Sequence, residues 1–239
     1  MAIGAVEVGV VRVGMGPVSR DEVVAVARHD ARVTLAPDAL AALAATRQRI
    51  EALAVADRPV YGVSTGFGAL ATRHIPGDRR VDLQRSLIRS HAAGSGPEVE
   101  REVVRAMMLL RLSTLATGRT GVRPVVAETY AALLNAGITP IVQEFGSLGC
   151  SGDLAPLAHC ALAVMGEGFV RDAGGEESAG RSVRTRVGAD AHDHVSAVDD
   201  LVDGDRVVVP LVLDALEDTR SHRIRSQVCA GVGEAGGLG

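Results

Sequence analysis

Three stretches of the 239-residue chain carry residue types that could do chemistry. Gly149-Cys150-Ser151-Gly152-Asp153 places a thiol and a hydroxyl in a glycine-rich loop ahead of an apolar run that contains His159. It is not the G-x-S-x-G turn that exposes a hydrolase serine, because Asp153 stands where that turn needs glycine. A Cys150 thiolate with His159 as its base is one alternative, and a glycine-rich cap ahead of a helix is another. Gly66-Phe67-Gly68-Ala69-Leu70-Ala71 fits the G-x-G-x-x-A pattern that cradles a dinucleotide pyrophosphate. Its context fails: Arg73-His74-Ile75-Pro76-Gly77 breaks any helix that would follow, and no strand-helix-strand unit supplies the ribose-binding acid. Asp190, His192, Asp193 and His194 have metal-ligand chemistry, but their surroundings read as a solvated tail, and no metal is expected.

The elements that must position these loops are predominantly helical. Ser19-Arg20-Asp21-Glu22 has the form of a capping box and predicts a helix to about His29. A strand or turn through Val33-Thr34-Leu35 follows, then a helix from Pro37-Asp38 to near Asp57-Arg58-Pro59 with Leu40, Leu43, Ile50 and Leu53 on one stripe. Tyr61 to Gly68 is a glycine-punctuated loop. Asp82 to His91 reads as helix. Pro97 to Gly118 reads as a long helix buried on more than one face, Leu110 included. Pro124 opens a helix capped at Asn135-Ala136-Gly137, and Pro156 starts another that ends at Met165-Gly166. The fold class is therefore all-α with few short strands. An ordered body over 1–169 is followed by an aberrant or disordered tail over 170–239, in which a short strand or a helix after Pro210 is the one regular feature.

Composition excludes several classes. Twenty-five basic against 29 acidic residues leave a net charge of −4, so nothing favours nucleic acid or an anionic membrane surface, and neither is an expected partner. Cys150, Cys160 and Cys229 are too few for a disulfide framework, which suits a reducing, cytoplasmic setting. No uncharged run reaches membrane-spanning length. Every basic residue is arginine, Asn135 is the only asparagine, and the five aromatic residues all lie between positions 61 and 169.

The run Gly146-Ser147-Leu148-Gly149-Cys150-Ser151-Gly152-Asp153-Leu154-Ala155-Pro156-Leu157-Ala158-His159 resembles the signature of the aromatic amino acid lyases, in the branch that deaminates histidine. Pro59-Val60-Tyr61-Gly62-Val63-Ser64-Thr65-Gly66-Phe67-Gly68 is similar to the family's tyrosine loop. Leu83-Gln84-Arg85-Ser86 to Ser90-His91-Ala92-Ala93-Gly94 is similar to its substrate-ring motif. The three occur in the family's order and spacing over roughly residues 5–168.

The resemblance implies the N-terminal, electrophile-bearing part of that fold. It also implies an autocatalytic prosthetic group, 4-methylidene-imidazol-5-one (MIO), formed from Cys150, Ser151 and Gly152. The Gly152 nitrogen attacks the Cys150 carbonyl, and loss of two waters leaves an exocyclic methylene derived from Ser151. Those residue types suit the chemistry, since glycine permits the close approach and serine supplies the leaving hydroxyl. The substrate's β-proton is not acidic and ammonium leaves poorly, so an electron-poor alkene that takes up the amine splits one hard step into easier ones.

Tyr61 matches the family's base. A phenol ionises near pH ~10 in water, so such a base needs its anion stabilised. His91 matches the residue that meets the substrate ring, which favours L-histidine, giving urocanate, with tyrosine second. The helix near Pro156 would aim its N-terminal amides at the loop, where negative charge develops.

Family members run to about twice this length and form homotetramers whose sites are completed by neighbouring subunits. No asparagine follows the electrophile segment, and the later glutamine, tyrosine, arginine and glutamate positions have no match. The sequence therefore predicts a chain inactive alone, whose continuation after about residue 170 has the composition of GC-rich DNA read out of frame. A non-catalytic remnant that associates with an intact lyase is the alternative to an ammonia-lyase, and a tetramer is not expected of this chain by itself.

Overall fold

The computed structural model describes residues 9–146 and 154–181. Within them the elements run β1 (Val10–Val13), α1 (Arg20–His29), β2 (Arg32–Leu35), α2 (Pro37–Ala54), α3 (Arg80–His91), β3 (Ser95–Glu98) and α4 (Arg101–Ala116). They continue as α5 (Pro124–Asn135), β4 (Thr139–Pro140), β5 (Gln143–Phe145), α6 (Leu154–Val164), β6 (Phe169–Arg171) and β7 (Glu177–Ala179). Single 3₁₀ turns at Gly68–Leu70 and Gly77–Arg79 lie between α2 and α3.

Local chemistry sets the helix ends. Ser19 Oγ accepts the Glu22 amide at 3.2 Å, while Glu22 Oε2 accepts the Ser19 amide at 2.7 Å, the reciprocal cap predicted from the sequence. The amide bond from Ser19 holds the Glu22 carboxyl below its ordinary pKa. Pro37 and Pro124 stand in the first turns of α2 and α5, where a missing N–H leaves no bond unmade. α5 ends where Gly137 takes φ +67°, and the Ile138 amide then returns to the Leu133 carbonyl at 3.0 Å.

β1 and β2 pair in parallel, with α1 as the crossover. Asn135 closes the open edge of β2: its Oδ1 accepts the Val33 amide at 2.7 Å and its Nδ2 donates to the Val33 carbonyl at 2.9 Å. A side-chain amide thus completes the pairing a further strand would supply.

The core gathers around α4, which packs against α1 and α5. Val104, Met108, Leu109, Leu112 and Leu115 are buried there with Tyr130, Leu133 and Leu134 of α5 and Ala158 and Ala161 of α6. Arg105, on the same helix, is completely buried.

Two features of α4 correct the sequence reading. It begins at Arg101, because Ser95–Glu98 is extended and pairs antiparallel with β5, and Gly96 at φ +88° cannot continue a helix. Nor is it buried all round: Val103 and Leu110, seven residues apart and so on one face, are each 50% exposed.

Regular structure continues past Gly168. β6 and β7 form a hairpin that joins β4 in a three-stranded sheet of order β4-β6-β7, so the boundary read at 169/170 falls within β6. Among the described residues no helix is long and apolar enough to cross a membrane.

Burial decides which α4 leucine matters. Leu112→Ala is expected to destabilise the chain by ~2–5 kcal/mol in urea unfolding, and Leu110→Ala by less than ~0.5 kcal/mol.

Candidate active site

His91 is the last residue of α3, and its ring is oriented from within its own helix. Nδ1 lies 2.8 Å from the Leu87 carbonyl oxygen, which can only accept, so Nδ1 carries the proton and Nε2 is left as the acceptor. Ser90 Oγ donates to the same carbonyl at 2.9 Å and lies 3.1 Å from Nδ1.

The chain then turns away sharply. Ala92 takes φ −75°, ψ 62°, and the Ala93 amide bonds to the His91 carbonyl at 2.8 Å, an inverse γ-turn. Gly94 follows, and its amide donates to His159 Nε2 of α6 at 3.1 Å. Burial pushes the His159 pKa below its ordinary value, which keeps the ring neutral and able to accept.

The crossing is tight enough to favour glycine. A Cβ on Gly94 would come to 3.0 Å from His159 Nε2 and 3.2 Å from Gln143 Oε1, and one on Gly146 to 3.1 Å from the Ala155 Cβ and 3.3 Å from the Gly94 Cα. The His91 segment therefore lies against Gly146, just before the loop predicted to carry the electrophile, and against His159 of the helix that follows it. Two further ties hold it there: β3 pairs with β5, and Arg89 grips Glu167 in a bidentate pair at 2.8 and 2.7 Å. Hydrogen bonds from Arg89 hold the Glu167 carboxyl below its ordinary pKa.

The tyrosine loop is anchored separately. The Val60 carbonyl accepts the amides of Val63, Ser64 and Thr65, Ser64 Oγ accepts the Val60 amide at 2.9 Å, and both hydroxyl residues are buried. Arg80, the first residue of α3, donates to the carbonyls of Ala54 at 2.7 Å and Ile75 at 3.0 Å, so the loop is tied to the end of α3 opposite His91.

Tyr61 is 47% exposed, its ring edge-on to Phe67 with centroids 5.8 Å apart, and the Gly68 amide points at its hydroxyl from 3.4 Å. Gly62, at φ +71°, leaves room for the Phe67 ring, which a Cβ would meet at 2.6 Å. After Gly68 there is one 3₁₀ turn and no longer helix, so this glycine pattern is a tight loop and not a dinucleotide cradle.

Cys150, Ser151 and Gly152 lie outside the described residues, as do Asp190, His192, Asp193 and His194. Among the described residues no group of three His, Cys, Asp or Glu could hold a metal. Cys160 is a buried free thiol, pushed up to about 12 by burial.

The aromatic amino acid lyase profile matches residues 18–223. The chain belongs to that family. The histidine ammonia-lyase of Streptomyces griseus is 66% identical over 156 residues, which make up 65% of this chain and 30% of that enzyme. The chain thus matches under a third of the length of this lyase relative.

The tyrosine aminomutase of Streptomyces globisporus superposes with a TM-score of 0.71 at 32% identity, covering 86% of this chain and 36% of that one. The histidine ammonia-lyase of Trypanosoma cruzi gives 0.70 at 28%, covering 89% and 38%. The described part has the lyase fold. The sequence motifs single out Tyr61 and His91, but nothing in them signals the Gly94–His159 bond, whose partners are 65 residues apart.

Gly94→Ala is expected to cost ~1–3 kcal/mol by overpacking, read by urea unfolding. His159 titrates below its unfolded value, so its contribution is present above that value and is lost as pH falls below 6.5 toward the folded pKa. Melting temperature should therefore drop more steeply below pH 6.5 for the wild type than for His159→Gln.

Proposed function

We propose that the chain is the electrophile-forming part of an ammonia-lyase that converts L-histidine to urocanate. The packing of Gly94, three residues past His91, against Gly146 and α6 carries the reading, because it sets the ring-contacting segment beside both flanks of Cys150-Ser151-Gly152. The 66% identity to a histidine ammonia-lyase supports the substrate.

The residues suit an MIO group. The tripeptide supplies the carbonyl, the hydroxyl and the unhindered nitrogen that such a group is built from. When formed, that group supplies an electron-poor alkene for the substrate amine.

This chain's own groups do the rest of the work assigned to this half. His91, with Nδ1–H committed to Leu87, offers Nε2 as an acceptor for the N–H of a substrate imidazole. That arrangement rewards histidine over phenylalanine, and a phenol O–H, as in tyrosine, is the next best donor. Tyr61 takes the β-proton, and the Gly68 amide is directed at its oxygen. α6 presents its N-terminal end to the segment that carries the tripeptide.

Alone the chain does not turn over. Tyr61 and His91 are two groups of a larger constellation, and displacements of ~1 Å cost ~100-fold in rate. A non-catalytic remnant that pairs with an intact lyase is the second reading, favoured by the match to only 30% of the relative's length and by the exposed Val103 and Leu110. In the same proposal the aberrant continuation of the lyase body starts only after the β6–β7 hairpin, which still joins β4, and a cytoplasmic setting suits the free Cys160.

Intact mass tests the prosthetic group without activity. The wild type and Cys150→Ala should each be lighter by two waters than their sequences, and Ser151→Ala should not be. Near-ultraviolet absorbance of urocanate should stay flat for the chain alone, and turnover near that of a full-length lyase would overturn the inactive reading.

A further inference from the structure

We propose that His159 is a positioning residue: its Nε2 accepts the Gly94 amide and so latches the segment that leaves His91 onto α6. The inference rests on the reading of His91 as the substrate-contacting residue and adds how that residue is held.

The backbone creates the need for the latch. The inverse γ-turn at Ala92 spends the Ala93 amide on the His91 carbonyl, and the chain then enters β3, whose pairing with β5 begins at Ser95. Between the turn and the strand, the Gly94 amide has neither a helical nor a sheet partner. At this partly buried crossing an unpaired amide is costly, and His159 Nε2 at 3.1 Å meets it.

The bond also defines the ring's chemistry. Nε2 uses its lone pair on Gly94, so the remaining proton sits on Nδ1, and the ring is a poor candidate for a base acting on Cys150. Burial, which lowers the pKa of His159, acts in the same direction.

Helix ends fray, and His91 is the last residue of α3. Its ring is fixed on one side by Leu87 and its backbone on the other by the turn and the latch. The second tie, Arg89 with Glu167 just past α6, has side chains 56% and 33% exposed, where water and salt weaken it. The half-buried His159 bond is therefore the tie that sets His91 relative to α6.

The test uses the full chain labelled with ¹⁵N, together with His159→Gln, whose Oε1 can accept the same amide, and His159→Leu, which cannot. In the wild type the His159 ring should show a protonated Nδ1 and an unprotonated Nε2. Amide exchange at Gly94 should stay close to wild type in His159→Gln and rise roughly tenfold or more in His159→Leu, the effect of losing one hydrogen bond. The His91 ring signals should move in His159→Leu only.

Equal behaviour of the two variants, or a protonated Nε2 in the wild type, overturns the proposal. The wild-type tautomer decides it even if His159→Leu fails to fold. These readouts need neither substrate nor electrophile, so a tripeptide that keeps its two waters overturns the functional reading and leaves the latch standing.

Discussion

A fully buried guanidinium holds the fold together. Arg105 projects from the middle of α4 and donates through Nε and Nη2 to the Val26 carbonyl at 3.1 and 2.9 Å, and through Nη1 to the Leu134 carbonyl at 3.1 Å. Val26 and Leu134 lie in the last turns of α1 and α5, where carbonyls have no partner within the helix and the macrodipole is negative. Asp30, which ends α1 in a left-handed conformation at φ +52°, adds its carboxylate to Arg105 at 3.0 Å and to Arg101 at 2.8 Å. Burial alone would push the Asp30 pKa up, but the bond from Arg101 and the charge of Arg105 bring it below its ordinary value. Desolvation of Arg105 is thus met by two helix ends and an anion, and removing any of them would leave a charge stranded in the core.

Other parts of the structure follow from that clamp. With the end of α5 fixed on α4, Asn135 in the next position reaches β2, and the chain emerges from Gly137 toward β4 and then β5. β5 fixes β3, and β3 is the continuation of the His91 segment. Arg80 repeats the device on a smaller scale, capping the last carbonyl of α2 and so seating the Tyr61 loop. In a chain whose basic residues are all arginine, the planar fork suits this use, since each guanidinium can collect two carbonyls in fixed geometry.

What the sequence disclosed, and what it did not, follows from the range of the interactions. The capping box at Ser19, the prolines opening α2 and α5 and the stop at Gly137 are decided within a few residues, and each lies where the sequence puts it. The Tyr61 and His91 motifs were legible because their residue types and order are unusual. The start of α4 was not: Ser95-Gly96-Pro97-Glu98 has no strand signature, and only pairing with β5 extends it. The buried face of α4 was ambiguous because both faces are apolar, and the choice falls to α1 and α5. Arg105 reads as a surface residue by type, and its burial becomes intelligible only once two distant helix ends converge on it.

The separate anchoring of the two legible motifs has a functional consequence. Gly94 and Gly146 form a matched pair at a close crossing, where a Cβ would come within 3.0 and 3.1 Å of its neighbours, so the end of α3 is packed against Gly146 and α6. On the proposed reading, a side chain there would press the His91 segment away from the electrophile segment, so that substrate choice and chemistry would change together. Tyr61 answers to different constraints: Ser64 and Thr65 shape its loop from within, and Arg80 binds it to the far end of α3. Arg80 and His91 stand at opposite ends of this twelve-residue helix, about 17 Å apart at ~1.5 Å per residue. The proposed base and the proposed ring contact therefore rest on different supports. On the proposed roles, perturbing the Tyr61 loop would alter proton removal while leaving the His91 frame intact, whereas perturbing the glycine crossing would disturb recognition and electrophile placement at once.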